Sequence, residues 1–515
     1  MCLYGQRSDL CFKALSKLLT MTEFELKLEI PPAHLKYVAA AMREGKADRQ
    51  RLQASYHDTP DGALAKHGIV VRLRKEGRRW VQTAKGSTSD MLERLEHNAN
   101  LPPQRTGTVP VLDLSRHQGT PVGWAIGKAL GLKASDKYPC LELVYGTDVR
   151  RISRSVAHGS SVIEIALDQG HVFANGLSQP LCELELELKE GRPSDAIALA
   201  REWSTAHGLW ISTIAKSMKG QRLRSAVPFG DATYAVAANY PMLASSDDML
   251  RAIVQSCLGQ ILPNASELAS GSNHPDHVHQ LRVGIRRLRT ALRELCSLTD
   301  AVVPTWEKVL VPVFRALGVH RDNSYLALVL QPQLLAAGGP DIRCNNASSN
   351  LPDAGETVRA PDFQAVLLDL LGFLHREASE SIAAPGTLKK AVTVRLSKLH
   401  KRVLRDGKKF LALDEAQQHG VRKCLKRLRY LIEFSRPLFS TSKVKDTAAA
   451  LKPMQDALGL YNDELMALRA WRERLKDDFK AWFGIGWLSA RKQHNAKRCL
   501  KEIKVFAQIK PFWSK

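Results

Sequence analysis

Long apolar runs and paired cysteines are both missing from this sequence of 515 residues. No run of 18 or more apolar residues occurs, so the sequence predicts no membrane span. The nine cysteines are scattered, odd in number and never arranged as Cys-x-x-Cys. This pattern argues against a disulfide framework or a zinc ribbon, and it indicates a reducing, cytoplasmic location.

Acidic residues are too few to balance the basic ones in the second half of the chain, which carries most of the formal net charge of +23. Residues 1–250 contain 32 Lys and Arg against 27 Asp and Glu, an excess of +5. Residues 251–515 contain 43 against 25, an excess of +18. A basic half of this size predicts a polyanionic partner, such as nucleic acid, an anionic membrane surface or polyphosphate.

The chain divides into regions of different composition and periodicity. Residues 1–20 have no continuous apolar stretch, so no secretory signal is predicted, and we expect them to be poorly ordered, with Met21 as an alternative start. Residues 21–225 mix strand signals with a few helices, which is typical of the α+β class. Residues 226–245 are expected to be a linker, and residues 246–515 show only helical periodicity.

Turn residues within the mixed region predict two hairpins. The first joins residues 69–74 to 80–85, and the second joins residues 161–168 to 170–174. In the helical region, residues 333–361 are rich in Gly, Pro, Asn and Ser, and we expect them to form a loop.

The helical region contains an internal repeat with a shift of 140 residues. Basic and apolar positions both recur with identical offsets, which predicts two homologous helical bundles. Each copy is followed by a Leu-Gly pair near an acidic residue, Leu317-Gly318 and Leu458-Gly459, which we interpret as a turn. The matched positions are His279, Arg282, Arg286, Arg287 and Arg289 in the first copy, and His419, Arg422, Lys426, Arg427 and Arg429 in the second.

Positions 279, 282, 286, 289 and 293 follow the 3-4-3-4 spacing that places side chains on one helix face, and the second copy has the same design. Arg395, Lys398 and Arg402 repeat the same spacing on a third segment. A solvated basic face is one interpretation, but like charges repel, so the repetition favours a bound anion. Nucleic acid is the rival partner. Single-strand recognition uses exposed aromatic side chains, and these faces carry almost none apart from Tyr430, so a base-free chain such as inorganic polyphosphate is favoured.

Two distant segments of the mixed region, residues 23–29 and 183–188, carry charges at alternate positions. Side chains alternate between the faces of a strand, so each segment has one charged and one apolar face. Either the charged faces lie in solvent, or they line the polar interior of a barrel. Buried acidic and basic groups coexist around a polyanion that carries divalent metals, and such a site predicts phosphoanhydride hydrolysis.

The ordered set of these motifs resembles a known family. Glu23-x-Glu25-x-Lys27, Tyr56-x-Asp58-Thr59, Arg72-x-Arg74, Lys85 and the run from Ile163 to Leu188 resemble the CYTH family, the triphosphate tunnel metalloenzymes, and especially its bacterial inorganic triphosphatases. The duplicated His and Arg motif resembles the CHAD domain, a helical module associated with polyphosphate binding. The two resemblances cover residues 21–225 and 246–515.

The CYTH resemblance implies an eight-stranded antiparallel tunnel that takes inorganic triphosphate with Mg²⁺ or Mn²⁺. By this resemblance Glu23, Glu25 and Lys27 are catalytic, and the metal ligands are Glu23, Glu25, Glu183 and Glu185. The implied phosphate-binding residues are Lys27, Arg72, Arg74, Lys85, Arg94, Arg151 and Lys216. Arg150 and Arg151 are adjacent, so only one of them can face the tunnel.

Two other functions remain open at this point. One is a scaffold with an inactive tunnel that binds polyphosphate or nucleic acid, and the other is thiamine triphosphate hydrolysis or adenylate cyclisation in the same tunnel. Retention of both acidic strands together with the cationic strands favours the triphosphatase. We expect no membrane partner, and association with polyphosphate granules follows from the CHAD resemblance.

Overall fold

The chain forms two compact units in a computed structural model. The first contains the described residues up to Asp231 together with Gln364–Arg376, and the second contains the rest. Residues 1–20, expected to be poorly ordered, lie outside the described part. The described residues are 22–105, 107–133, 135–296, 298, 302–342, 353–376 and 386–513.

The first unit is built on one antiparallel sheet that closes on itself. Its strand order is β5-β4-β3-β2-β6-β7-β8-β1-β9, and an additional pairing of β5 with β1 closes the first eight strands into a barrel. This confirms the predicted eight-stranded barrel. The strands are β1 (Thr22–Glu29), β2 (Asp48–Asp58), β3 (Ile69–Glu76), β4 (Arg79–Ser87), β5 (Glu93–Leu101), β6 (Glu142–His158), β7 (Ser161–Ala174), β8 (Leu177–Glu190) and β9 (Trp210–Ile211).

Alternation along β1 separates the core from the barrel interior. Phe24, Leu26 and Leu28 are buried on the outer face, whereas the charged residues between them lie half-buried on the inner face. Helix α4 packs against β1 and β8, and α5 packs against β6, β7 and β8. The helices of this unit are α1 (Leu35–Ala41), α2 (Ala63–Lys66), α3 (Pro121–Ala129), α4 (Pro193–His207) and α5 (Lys216–Ser225).

All regular secondary structure in the described residues of the second unit is helical, which confirms the predicted all-α region. Helices α7 and α13, which carry the two copies of the basic motif, pack against each other and bury Leu281, Ile285, Leu288, Leu425 and Leu428. The helices are α6 (Ser246–Ala269), α7 (Pro275–Leu295), α8 (Pro304–Tyr325), α9 (Gln331–Ala336), α10 (Ala354–Arg359), α11 (Pro361–His375, mostly in the first unit), α12 (Thr387–Gly407), α13 (Glu415–Phe434), α14 (Thr441–Arg474) and α15 (Ala481–Ala507).

Three local predictions were wrong. Residues 161–174 form the single strand β7 rather than a hairpin. The Leu-Gly pairs lie inside α8 and α14 and are not turns. Helices α9 and α10 overlap the predicted loop 333–361, whose residues 343–352 lie outside the described part.

No helix in the described residues is long and apolar enough to cross a bilayer. The six cysteines found there are all free thiols: Cys140, Cys182, Cys257, Cys296, Cys424 and Cys499.

Candidate functional site

The interior of the barrel is a cavity of about 740 Å³ lined mainly by charged side chains. Strand alternation brings these residues inward from strands that are far apart in the sequence. The charged lining residues are Glu23, Glu25, Lys27, Arg72, Arg74, Lys85, Arg94, Glu96, Arg151, Glu164, Asp168, Glu185, Glu187, Lys189 and Lys216.

Strand register places opposite charges beside one another across the sheet. Lys27 of β1 lies opposite Glu185 of β8, and Lys85 of β4 lies opposite Glu96 of β5. Asp168 of β7 lies between Arg151 of β6 and Glu183 of β8. Ion pairs between neighbouring strands therefore lower the cost of burying these charges, but Asp168 also lies opposite the like charge of Glu183.

Lys85 is the centre of one acidic cluster. Its Nζ contacts the carboxylate of Glu23 and lies 3.0 Å from Glu96 Oε2 and 3.7 Å from Glu25 Oε2. Burial raises the pKa of Glu23 to about 9 because it outweighs the attraction of Lys85, and burial and Glu185 raise the pKa of Glu25. The positive charge in this cluster is too small to keep all of its carboxyl groups ionised.

Lys216, the first residue of α5, is the centre of a second acidic cluster. Its Nζ lies 2.7 Å from Asp168 Oδ2, 2.7 Å from Glu183 Oε1 and 2.5 Å from Glu185 Oε1. Arg151 makes two hydrogen bonds of 2.7 Å to Asp168 and also contacts Glu185. Burial favours the neutral form of Glu183, but Lys216, Lys27 and Lys219 outweigh it and lower its pKa to about 2.

The second acidic cluster fits a divalent cation. Oxygen atoms of Asp168, Glu183 and Glu185 lie within 4.8 Å of one another, the only such group found in the described part of the chain. Carboxylate oxygens are hard ligands of the kind that Mg²⁺ and Mn²⁺ take. Glu183 Oε1 is buried without a hydrogen bond of good geometry, although Lys216 Nζ is close. These three residues would hold the ion.

Guanidinium groups line the rest of the cavity. The buried Nε of Arg72 has no hydrogen-bond acceptor among the described residues. Arg74 pairs with Glu76, with 2.6 Å between Nε and Oε1. Nζ of Lys27 donates to the Ile214 carbonyl at 2.5 Å. Arg151 is the inward member of its pair, whereas Arg150 is exposed. These cations surround a space in which phosphate oxygens would compete with Glu76, Asp168 and the Ile214 carbonyl for their N–H groups.

The structure brings the nine predicted catalytic and phosphate-binding residues into the lining of one cavity, and it divides the four predicted metal ligands. Glu23 and Glu25 lie with Lys85, whereas Glu183 and Glu185 lie with Lys216. Sequence reasoning assigned no role to Asp168 or Glu96. The sequence did contain a signal that these side chains face the barrel interior. Asp168 follows Glu164 and Ala166 at a spacing of two residues, and Glu96 follows Arg94 at the same spacing.

A cationic cluster in the second unit is formed by α7, α8 and α13. Arg282, Arg286, Arg422 and Lys426 repel one another, together with Arg321 of α8. Arg321 Nη2 lies 3.1 Å from Asp463 Oδ2, and Arg282 Nη1 donates to the Phe314 carbonyl at 2.6 Å. His279 is near Arg286 and Arg321, and His419 Nδ1 lies 2.5 Å from Asn462 Oδ1.

Lys426 shows how poor this cluster is in negative charge. Burial lowers the pKa of Lys426, and Arg286, Arg422 and Arg429 lower it further, to about 6. An anion bound in the cluster would raise the pKa of Lys426 again and so favour its charged ammonium form.

The structure separates several of the other predicted polyphosphate-binding residues from this cluster. Arg287 is only 1% exposed, and its Nη2 lies 2.8 Å from Glu433 Oε1 of the other repeat, while Arg427 pairs with Glu294. These two residues link α7 to α13, Arg287 from a buried position and Arg427 from a partly exposed one. Arg289 and Arg429 pair with Glu307 and Glu433 but stay beside the cluster. Arg289 lies over the ring of Phe314, as Arg282 and Arg286 do, and Arg429 helps to lower the pKa of Lys426. Arg395, Lys398 and Arg402 lie on α12, where Arg402 pairs with Asp406.

An antiparallel barrel with a charged tunnel, joined to a helical unit with a duplicated basic motif, defines the class of this protein. The CYTH domain family model matches residues 21–220, and the CHAD domain family model matches residues 252–498. The chain therefore contains a CYTH domain followed by a CHAD domain, which confirms both resemblances.

Individual relatives match parts of the chain. An inorganic triphosphatase of Haemophilus influenzae is 28% identical over 213 residues, which are 40% of this chain and 56% of that protein. The CHAD domain of Ricinus communis is 22% identical, covering 55% of this chain and 98% of that one, with a TM-score of 0.45. A putative adenylyl cyclase of Hippeastrum, described as having a dominant triphosphatase activity, is 18% identical, covers 40% of this chain and 96% of that one, and gives a TM-score of 0.31.

Proposed function

We propose that the first unit hydrolyses inorganic triphosphate with Mg²⁺ or Mn²⁺ inside the barrel. The observation that supports this most is the convergence of carboxylates and cations from distant strands on one cavity of about 740 Å³. The similarity to the Haemophilus influenzae inorganic triphosphatase supports the choice of substrate.

The cationic side chains bind and position the substrate in this proposal. Arg72, Arg74 and Arg94 take phosphate oxygens along one side of the tunnel, and Arg151 takes them beside β7 and β8. Enclosure by the barrel excludes bulk water, which strengthens each of these contacts. Phosphoryl transfer needs little covalent chemistry from the protein, so this positioning supplies most of the catalysis.

The carboxylates hold the metal and the attacking water. Asp168, Glu183 and Glu185 hold the ion, which supplies polarisation of a phosphate oxygen and a more acidic bound water. Glu23 and Glu25 lie on β1 and face the same space, where they orient water toward phosphorus. Lys27 lies beside them on the same strand and neutralises charge on the departing phosphate.

An assay of phosphate release tests this proposal. With Mg²⁺ or Mn²⁺, the wild type should release phosphate from inorganic triphosphate faster than from ATP or thiamine triphosphate. Glu25→Gln and Lys27→Ala should each lower the rate about 100-fold, the order found when one transition-state contact is removed. Glu190→Gln, at the exposed end of β8, is the control and should retain activity. Equal turnover in all four proteins would eliminate the site.

For the second unit we propose binding of inorganic polyphosphate by the cationic cluster of Arg282, Arg286, Arg422 and Lys426. Arginine holds phosphate oxygens in a planar fork, and a linear polyanion would relieve the repulsion among these groups. The scattered free cysteines fit a cytoplasmic location, where such a complex could join polyphosphate granules.

Retention on immobilised polyphosphate tests the second proposal. The double variant Arg286→Glu with Lys426→Glu should lose most of its affinity, and wild-type binding should weaken as salt is added. Lys497→Glu with Lys501→Glu makes the same change of charge on the exposed side of α15 and should bind nearly as the wild type does. If both double variants bind equally, the cluster is not the binding site.

A further inference from the structure

The ammonium group of Lys216 lies in the place where a metal ion would bind. Its Nζ is 2.5 to 2.7 Å from one oxygen of each of Asp168, Glu183 and Glu185. The same three residues form the group whose oxygens gather within 4.8 Å. Lys216 forms an ion pair with each of these three carboxylates.

Neighbouring cations reach the cluster from its edges. Lys219 Nζ lies 3.1 Å from the other oxygen of Glu183 and 2.6 Å from Glu29. The guanidinium group of Arg151 donates from Nε and Nη2 to the two carboxylate oxygens of Asp168, and its Nη2 also donates to Glu185 Oε2. Lys216 Nζ donates to the other oxygen, Glu185 Oε1. Lys216 shares Asp168 Oδ2 with Arg151 Nη2, which also lies 2.7 Å from that oxygen, and it contacts Glu183 Oε1 and Glu185 Oε1 as well.

A divalent ion and the ammonium group cannot share these oxygens. Carboxylate oxygens lie about 2.0 to 2.6 Å from bound Mg²⁺ or Ca²⁺, a distance that places the ion where Nζ now stands. The two cations would also repel strongly at such a separation in a buried site. Metal binding by these carboxylates therefore requires Lys216 to leave them.

The position of Lys216 in the fold permits this movement. It is the first residue of α5 and follows residues 212–215, which have no regular secondary structure. Its side chain also lines the cavity that Arg72 and Arg151 line. The four-carbon stem of lysine is flexible, so the ammonium group can turn from the cluster toward the tunnel axis without unfolding α5.

We propose that Lys216 is a positioning residue whose ammonium group changes its anionic partner, from the three carboxylates to the triphosphate. Its ammonium neutralises the three carboxylates until a divalent ion takes them, and it then turns to an oxygen of the triphosphate. This inference rests on the metal-dependent hydrolysis proposed above. It makes the binding of metal and of triphosphate cooperative, since each ligand favours the movement of Lys216 that the other requires.

Metal affinity without any triphosphate tests the exchange. Mn²⁺ binding, followed by electron paramagnetic resonance, should be at least tenfold tighter in Lys216→Met than in the wild type. Lys189→Met is the matched control, because Lys189 lines the same cavity but pairs with Glu187 and Glu164. It should change the affinity by less than threefold. Equal or weaker Mn²⁺ binding by a folded Lys216→Met protein would overturn the proposal.

A second measurement uses the unaltered protein, so it does not depend on the folding of a variant. Acetylation of lysines with acetic anhydride, read by mass spectrometry, should increase at Lys216 when Mn²⁺ is added, while Lys189 serves as an internal reference. Unchanged labelling of Lys216 at saturating Mn²⁺ would overturn the proposal. Neither measurement involves turnover, so a failure to hydrolyse triphosphate would be seen separately.

Discussion

The role of each charged residue in this protein depends on the groups that lie next to it. Asp168 joins the second acidic cluster because Arg151 and Glu183 flank it across the sheet. Arg287 has the same chemistry as Arg286 but lies one position further along α7, on another side of the helix, where it is buried against Glu433. Periodicity in the sequence could assign residues to a charged face, but it could not show which charges are paired across strands or helices.

Lys426 gives the polyphosphate proposal a dependence on pH. Its pKa is about 6 in the free protein, lowered by burial and by Arg286, Arg422 and Arg429, so the group is largely neutral at pH 8. A bound polyanion raises this pKa, so binding takes up a proton, and affinity should increase by up to about tenfold per unit as pH falls from 8 toward 6.

Isothermal titration with long-chain polyphosphate at several pH values measures this effect, because the internal phosphates keep their charge throughout the range. Lys426→Arg, which keeps its charge at all these pH values, should show a flatter dependence. Identical pH profiles for the two proteins would contradict a role for Lys426.

At the scale of secondary-structure elements, the alternation of charged and apolar residues and the helical periodicity gave more correct predictions than the turn residues did. Period-two charge along β1 and β8 correctly indicated strands with one charged face. Gly170 suggested a turn, but it lies within β7, where a Cβ would come 2.0 Å from the Asp148 carbonyl oxygen. Glycine is present there because the neighbouring backbone of β6 comes close, and a single sequence does not distinguish this cause from a turn.

Close approach of another group also explains the glycine in one of the two Leu-Gly pairs. A Cβ at Gly318 in α8 would lie 2.6 Å from Arg282 Nη1, whereas a Cβ at Gly459 in α14 would meet nothing within 4 Å. Gly318 therefore makes room for a guanidinium group of the cationic cluster.

This difference predicts unequal effects of the same substitution. Gly318→Ala should displace the Arg282 guanidinium and weaken polyphosphate binding about three- to tenfold, the order expected for one disturbed charged contact. Gly459→Ala should leave binding unchanged. Each substitution adds helix propensity, so neither should lower the melting temperature. Equal affinities of both variants in a polyphosphate titration would show that Arg282 does not contribute.

At the scale of the whole molecule, the division into a barrel and a helical region was predictable from composition and periodicity, but the exact membership of the units was not. Residues 364–376 belong to the first unit although most of their sequence neighbours belong to the second. Gln364 Oε1 accepts a hydrogen bond from Ile211 N at 2.8 Å, and Asp369 Oδ1 lies 2.7 Å from Arg201 Nε. Such pairings between distant residues leave no local pattern in a single sequence.

Closure of the barrel is also a property of the whole first unit. The pairing of β1 with β5 joins the start of the described chain to a strand about 70 residues later, and it brings Glu23 opposite Arg94. The tunnel exists only because this pairing completes the ring, so the function depends on the convergence of all eight strands.

Anomalous diffraction from a crystal containing Mn²⁺ and a hydrolysis-resistant triphosphate analogue tests this convergence most directly. Our account predicts a manganese peak among Asp168, Glu183 and Glu185, with phosphate oxygens within hydrogen-bond distance of Arg72 and Arg151. Manganese and analogue bound outside the barrel, or a tunnel that takes neither of them, would contradict it.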